Sequence, residues 1–161
     1  MKIAVYPGSF DPVTKGHLDV IKRAITIFDK VVVVVMVNRK KHPTFSLDER
    51  RGFLQSAVKG LGNVEIMASD ELLAEWVKGI GDCVLIKGLR AVSDFESEFQ
   101  MALINRKMNP NLETLFMPTS EEHLYLSSSV VKEIASLGGD ISQLVPEEIL
   151  CDVKKRLVKG E

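Results

Sequence analysis

The residues best suited to chemistry gather between Tyr6 and Asp19, in the stretch Y-P-G-S-F-D-P-V-T-K-G-H-L-D. Ser9, Asp11, Thr14 and His17 bring hydrogen-bond donors and acceptors to one short segment. Gly8 and Gly16 let the backbone pass close to a ligand or adopt a positive φ. Pro7 and Pro12 stiffen the loop between them. A His in the first turn of a helix lies among free N–H groups at the positive end of the dipole, which favours an anion. The pattern points to a corner that holds the phosphates of a nucleotide. Ordinary turns use the same residue types, and a His at a helix start can simply cap it.

The elements around this corner alternate. Ile3-Ala4-Val5 is an apolar run before the loop, and an amphipathic run opens near His17, with Leu18, Ile21, Ile25 and Phe28 on one stripe. Val31 to Val37 is β-branched apart from one Met, too short for a buried helix and apolar enough for a strand covered on both faces. Ser46-Leu47-Asp48-Glu49 spells a capping box, and the helix after it turns Leu54, Ala57, Val58 and Leu61 inward before stopping at Gly60 to Gly62. Val64 to Met67 and Cys83 to Ile86 are further short strands, separated by a short helix over Glu71 to Lys78. Lys87-Gly88-Leu89-Arg90 reads as a strand-to-loop switch with glycine at the bend. A helix is expected from Asp94 to Met108, with Phe95, Phe99, Ala102, Leu103 and Arg106 on one face, and a fifth strand from Leu112 to Met117. Ser127 to Ser129 precede a helix through Leu137. Pro146 is expected at the first position of the last helix, which ends in Lys154-Lys155-Arg156.

These alternations predict an α/β fold, a doubly wound five-stranded parallel sheet (Rossmann-like) with helices on both faces. Such sheets bind ligands beyond the carboxyl ends of their strands, where strand order reverses. Four polar segments follow strand ends: Ser9 to His17, Arg39 to His42, Lys87 to Arg90, and Ser120 to Ser129. They are expected to converge on one cleft.

Composition excludes several classes. The chain has 161 residues, 45% hydrophobic and 27% charged, with a net charge of −1. It carries no basic footprint for nucleic acid, no apolar stretch of membrane-spanning length and no signal-peptide pattern. Cys83 and Cys151 show no metal or redox spacing and are expected as small core or half-buried residues in a reducing cytoplasm. Residues 1–161 are expected to form a single domain.

G-S-F-D-P-V-T-K-G-H, I-K-G-L-R followed by D-F-E-S-E, and L-S-S-S-V-V-K-E, in this order and spacing, resemble the phosphopantetheine adenylyltransferase family. Nearly the whole chain takes part. The wider nucleotidyltransferase signature T-x-G-H is present as Thr14-Lys15-Gly16-His17. The resemblance implies transfer of AMP from ATP to 4′-phosphopantetheine, giving dephospho-CoA and pyrophosphate. It also implies Mg²⁺ bound through the ATP phosphates, a cytoplasmic homohexamer, and small-molecule partners rather than nucleic acid or membrane.

It further implies roles. His17, Ser9, Lys41 and Arg90 are the expected catalytic residues: His17 donates to the α-phosphate, and Ser9 reaches both phosphates. Lys41 holds the acceptor phosphate, although chemistry alone does not separate it from Lys40. Arg90 takes the β- or γ-phosphate, or else forms a salt bridge with Asp94 or Glu96. Phe10, Gly88, Leu89, Glu98, His123, Leu124, Tyr125, Leu126, Ser127, Ser128 and Ser129 are expected to bind ATP. Glu98 can equally be an exposed helix carboxylate, and the serines an ordinary N-cap. Leu72, Leu73, Lys87 and Asn105 are expected beside Ser9 and Lys41 along phosphopantetheine. No protein metal ligand is expected. Lys87 stands where the family often has Arg, and His123 where it usually has Trp. The same residues leave open another nucleotidyltransferase, using nicotinamide mononucleotide or glycerol phosphate, a nucleotide sensor without turnover, and a flavodoxin-like binding module.

Overall fold

The computed structural model describes residues 1–37, 42–90 and 92–158. Five parallel strands form one sheet: β1 (Ile3–Gly8), β2 (Lys30–Met36), β3 (Val64–Ser69), β4 (Cys83–Leu89) and β5 (Glu113–Pro118), in the order β3-β2-β1-β4-β5. The helices are α1 (Lys15–Ala24), α2 (Leu47–Ala57), α3 (Leu73–Trp76), α4 (Val92–Met108), α5 (Ser128–Ser136) and α6 (Glu147–Leu157). Strand order reverses at β1, which has β2 on one side and β4 on the other. The loop after β1 therefore sits at the switch point, where a doubly wound sheet opens a crevice.

The valine run of β2 explains the layering. Val31, Val33 and Val35 join Ala4 and Tyr6 in one core cluster, while Val32 and Val34 join Val5, Ala74, Val77 and Leu85 in the other. Successive side chains of a strand face opposite ways, so a strand apolar at every position needs cover on both faces. Each such burial contributes about 1.5–3 kcal/mol.

Several boundaries differ from expectation. Helix α1 begins at Lys15, with Thr14 as its N-cap, two residues ahead of the expected opening near His17, and His17 lies in the first turn as expected. Gly88 is not at a bend: it lies in β4, paired with Met117. A Cβ there would come within 3.1 Å of the Val20 side chain, so close strand-to-helix packing, not a turn, requires the glycine. Pro146 is the N-cap of α6 rather than its first residue. Cys151 is exposed, because α6 buries Ile149 and Val153 and turns position 151 outward. Phe95, Phe99 and Leu103 of α4 do not enter the core. They remain exposed with Met101, Ile104 and Met108, since apolar residues are scattered among polar ones around α4 instead of gathering on one core-facing stripe.

The turn after β1 is held tightly. Phe10 has a φ of 48° and is buried, its ring edge-on to Tyr6 at 5.5 Å and to His17 at 5.1 Å. A Cβ at Gly8 would lie 2.8 Å from the Phe10 ring. With that ring fixed between two others, Gly8→Ala should destabilise the protein by about 1–3 kcal/mol, measurable as a lower urea midpoint.

Candidate active site

The crevice is a cleft of about 850 Å³, within the usual range for small-molecule sites. Its walls come from the carboxyl ends of β1, β2 and β4, the first turn of α1, the residues leading into α2, Glu98 of α4 and the start of α5. Of the four expected polar segments, residues of Ser9 to His17 and of Lys87 to Arg90 meet there, and of Ser120 to Ser129 only Leu126 to Ser129 do. His42 of the second segment also lines the cleft, whereas Lys41 falls outside the described residues.

His17 stands at the bottom of the site in one defined state. Thr14 Oγ1 accepts the His17 N–H at 3.3 Å, and His17 Nδ1 accepts the Thr14 N–H at 3.0 Å. This reciprocal pair is a capping box with His in place of the usual Glu or Gln. An Nδ1 that accepts a backbone N–H carries no proton, so the neutral ring has its proton on Nε2. Burial against the aromatic rings, helped by the charge of Arg90, holds the His17 pKa down to about 4. Near neutral pH the ring is a neutral hydrogen-bond donor toward the cleft. Capping and ligand binding, alternatives on sequence grounds, are thus two edges of one imidazole.

The cations are arranged around it. Arg90 does form the salt bridge with Asp94, from Nε at 2.9 Å and Nη2 at 3.3 Å, and Nη1 donates to the Leu126 carbonyl at 3.0 Å. It thereby ties the start of α4 to the segment before α5. Lys87 pairs with Glu98 at 3.1 Å. Lys132 pairs with Asp11 at 3.1 Å. Asp11 also accepts the N–H groups of Thr44 and Phe45, each at 2.9 Å. Burial works to raise the Asp11 pKa, but those N–H groups and Lys132 outweigh it and hold the carboxyl below its ordinary value.

The three serines divide their work. Ser127 caps α5 by accepting the Val130 N–H at 3.1 Å, and Ser128 Oγ donates to the Pro12 carbonyl at 2.8 Å, docking the helix on the first loop. Ser128 and Ser129 are the first two helical residues, whose N–H groups have no partner within a helix, and both line the cleft.

Other expected residues lie elsewhere. Leu72 is exposed, Leu73 packs against the second core cluster, and Asn105 is buried on α4; none lines the cleft. Leu89 ends β4, where its carbonyl accepts the Thr119 N–H. Leu124 and Tyr125 are exposed, and His123 faces a smaller cavity of about 310 Å³ beside Lys15 and the start of α6. Among the described residues, no group of three His, Cys, Asp or Glu side chains could hold a metal ion.

Residues 5–134 match the cytidylyltransferase-like family. The chain is 54% identical to the phosphopantetheine adenylyltransferase of Clostridium tetani, over 97% of this chain and 98% of that protein. It is also 54% identical to the phosphopantetheine adenylyltransferase of Caldanaerobacter subterraneus subsp. tengcongensis, over 91% and 92%. The chain belongs to the phosphopantetheine adenylyltransferase family. Its backbone is similar to that of the Plasmodium falciparum nicotinic acid mononucleotide adenylyltransferase complexed with NaAD, with a TM-score of 0.66, 16% identity and coverage of 94% and 93%. That likeness concerns the fold alone.

For this family member, sequence reasoning missed Arg50 and Lys132 and undervalued Asp11. Arg50 had a readable signal: it falls one turn after Ser46, on the helix face that goes on to bury Leu54 and Ala57, where a charge is out of place. Lys132 lies one turn beyond Ser128, but its partner is 121 positions away in sequence and no local pattern names it.

The His17 shift has a consequence for stability. The unfolded chain takes up the His proton as pH falls below about 6.5, whereas the folded chain does so only near 4. Folding stability should therefore drop as pH falls from 6.5 to 4. His17→Gln can keep the cap, since Gln suits this position, and its urea midpoint should decline less between pH 7 and pH 4.5 than that of the wild type.

Proposed function

We propose that this chain transfers AMP from ATP to 4′-phosphopantetheine, giving 3′-dephospho-CoA and pyrophosphate, the penultimate step of coenzyme A synthesis. The observation that carries the mechanism is His17, fixed as a neutral Nε2–H donor where cation-bearing segments converge. A phosphate oxygen is already a nucleophile near neutral pH, so no general base is required. An oxygen of the acceptor phosphate attacks the α-phosphorus directly, a new P–O bond forms, and the bond to the bridging oxygen of pyrophosphate breaks. No covalent enzyme intermediate arises. A histidine with a pKa of about 4 is a poor proton carrier at pH 7 but a good fixed dipole, and transfer of this kind depends mainly on alignment and charge stabilisation.

Ser9 and Lys41 hold the acceptor phosphate in this scheme. Arg90 and the N–H groups of Ser128 and Ser129 hold the β- and γ-phosphates, with Phe10, Gly88, Glu98 and the segment from His123 to Ser127 around the rest of the nucleotide. Leu72, Leu73 and Asn105, which lie outside the cleft itself, take the far end of the pantetheine arm. Lys87 offers a point charge where an arginine fork would bind in two places. The cleft carboxylates Asp11 and Glu98 are already paired with lysines, so the described residues offer no side-chain cage for Mg²⁺, and phosphate oxygens would hold it. Bound in that way, the ion supplies further neutralisation of phosphate charge.

The chain acts as one nucleotidyltransferase domain in the cytoplasm. Among the described residues no helix is long and apolar enough to cross a membrane. The exposed apolar side of α4, with Phe95 stacked on Phe99 and edge-on to Phe116, supports assembly with further copies; the number six comes from the family resemblance.

Pyrophosphate release from ATP and Mg²⁺ should require 4′-phosphopantetheine. Turnover with nicotinamide mononucleotide or glycerol phosphate alone would refute the acceptor assignment. His17→Ala should lower kcat about 10²- to 10³-fold while ATP still binds; an unchanged rate would remove His17 from the mechanism.

A further inference from the structure

Arg50 is a buried cation that the scheme above leaves unused. It is 4% exposed and lines the cleft from the first turn of α2. Nη1 donates to the Ser9 carbonyl at 2.9 Å, and Nε to the Ser46 carbonyl at 3.4 Å. Both acceptors are neutral. Arg90, Lys87 and Lys132 each have a carboxylate, in Asp94, Glu98 and Asp11. Among the described residues no carboxylate lies within ion-pair distance of Arg50. A buried charge is costly unless paired, and two carbonyls offset only part of that cost. A guanidinium has five N–H donors, so both backbone bonds can persist while others meet an incoming anion.

We propose that Arg50 binds the phosphate of the acceptor substrate. This rests on the adenylyl-transfer reading above and adds a residue to it. Topology selects which phosphate. Arg50 belongs to the connection after β2 and Arg90 to the connection after β4, and these strands flank β1 on opposite sides. An in-line displacement places the attacking and leaving oxygens on opposite sides of phosphorus. With pyrophosphate leaving toward Arg90, the attacking phosphate stands on the Arg50 side. The bond to the Ser9 carbonyl sets the guanidinium beside the serine assigned to the same phosphate.

The test separates the phosphate from the rest of the acceptor. The purified chain is titrated with 4′-phosphopantetheine and, separately, with pantetheine, and the ratio of the two affinities is compared across variants. Arg50→Gln should reduce the preference for the phosphorylated compound about 10- to 100-fold, the range of a charge-assisted bond, with pantetheine and ATP affinities unchanged. Arg50→Lys, which keeps the charge without the fork, should fall between Gln and wild type. An unchanged ratio in either folded variant overturns the proposal. So does loss of ATP binding in both variants, which would make Arg50 part of the fold instead. Wild-type protein that releases no pyrophosphate with 4′-phosphopantetheine refutes the underlying reaction, and the proposal with it, before any variant is made.

Discussion

The reciprocal pair of hydrogen bonds between Thr14 and His17 is the constraint on which the site depends. It starts helix α1, and it settles which ring nitrogen carries the proton. An N-cap bond is usually worth about 1 kcal/mol. Here the larger consequence is chemical, because a cap made through Nδ1 leaves Nε2–H as the ring's cleft-facing donor. Phe10 and Tyr6 then fix the plane of that ring, and Phe10 holds its place at the cost of a positive φ. A donor fixed before substrate arrives needs no reorganisation as charge develops, and this is where electrostatic catalysis gains most.

Around that donor the charges are largely balanced in advance. Arg90, Lys87 and Lys132 each share their charge with a carboxylate, so they act partly as struts. Arg90 links α4 to Leu126, and Asp11 links the first loop both to Thr44 and Phe45 and to α5. At the far end of that connection, Arg156 of α6 pairs with Glu49, donates to the Thr44 carbonyl and lies over the Phe45 ring. The cleft walls are thus cross-linked by polar contacts between elements distant in sequence. Paired cations are cheaper to bury than lone ones; among the described residues of the cleft, Arg50 is buried without a carboxylate, beside the first loop.

Much of this was readable from local pattern. The valine run of β2 could only be a doubly covered strand, and Ser46 with Glu49 could only open a helix, because both signals depend on residues within one or two turns of each other. Helix α4 misled: its apolar positions, read as a core-facing stripe, surround the helix and leave an exposed side. Gly88 misled too, since glycine marks turns in sequence but here answers to a neighbouring helix.

Residue order alone specified the alternating strands and helices, the Gly8-to-His17 corner and the grouping of polar segments at strand ends, since backbone sterics, capping and hydrophobic periodicity act over a few positions. It could not specify partners. Whether Asp11 faces solvent or Lys132, and whether Arg50 is exposed or buried, are set by which elements the sheet order brings together. Electrostatic energies depend on separation in space and on burial, and neither is encoded within a short window of the chain.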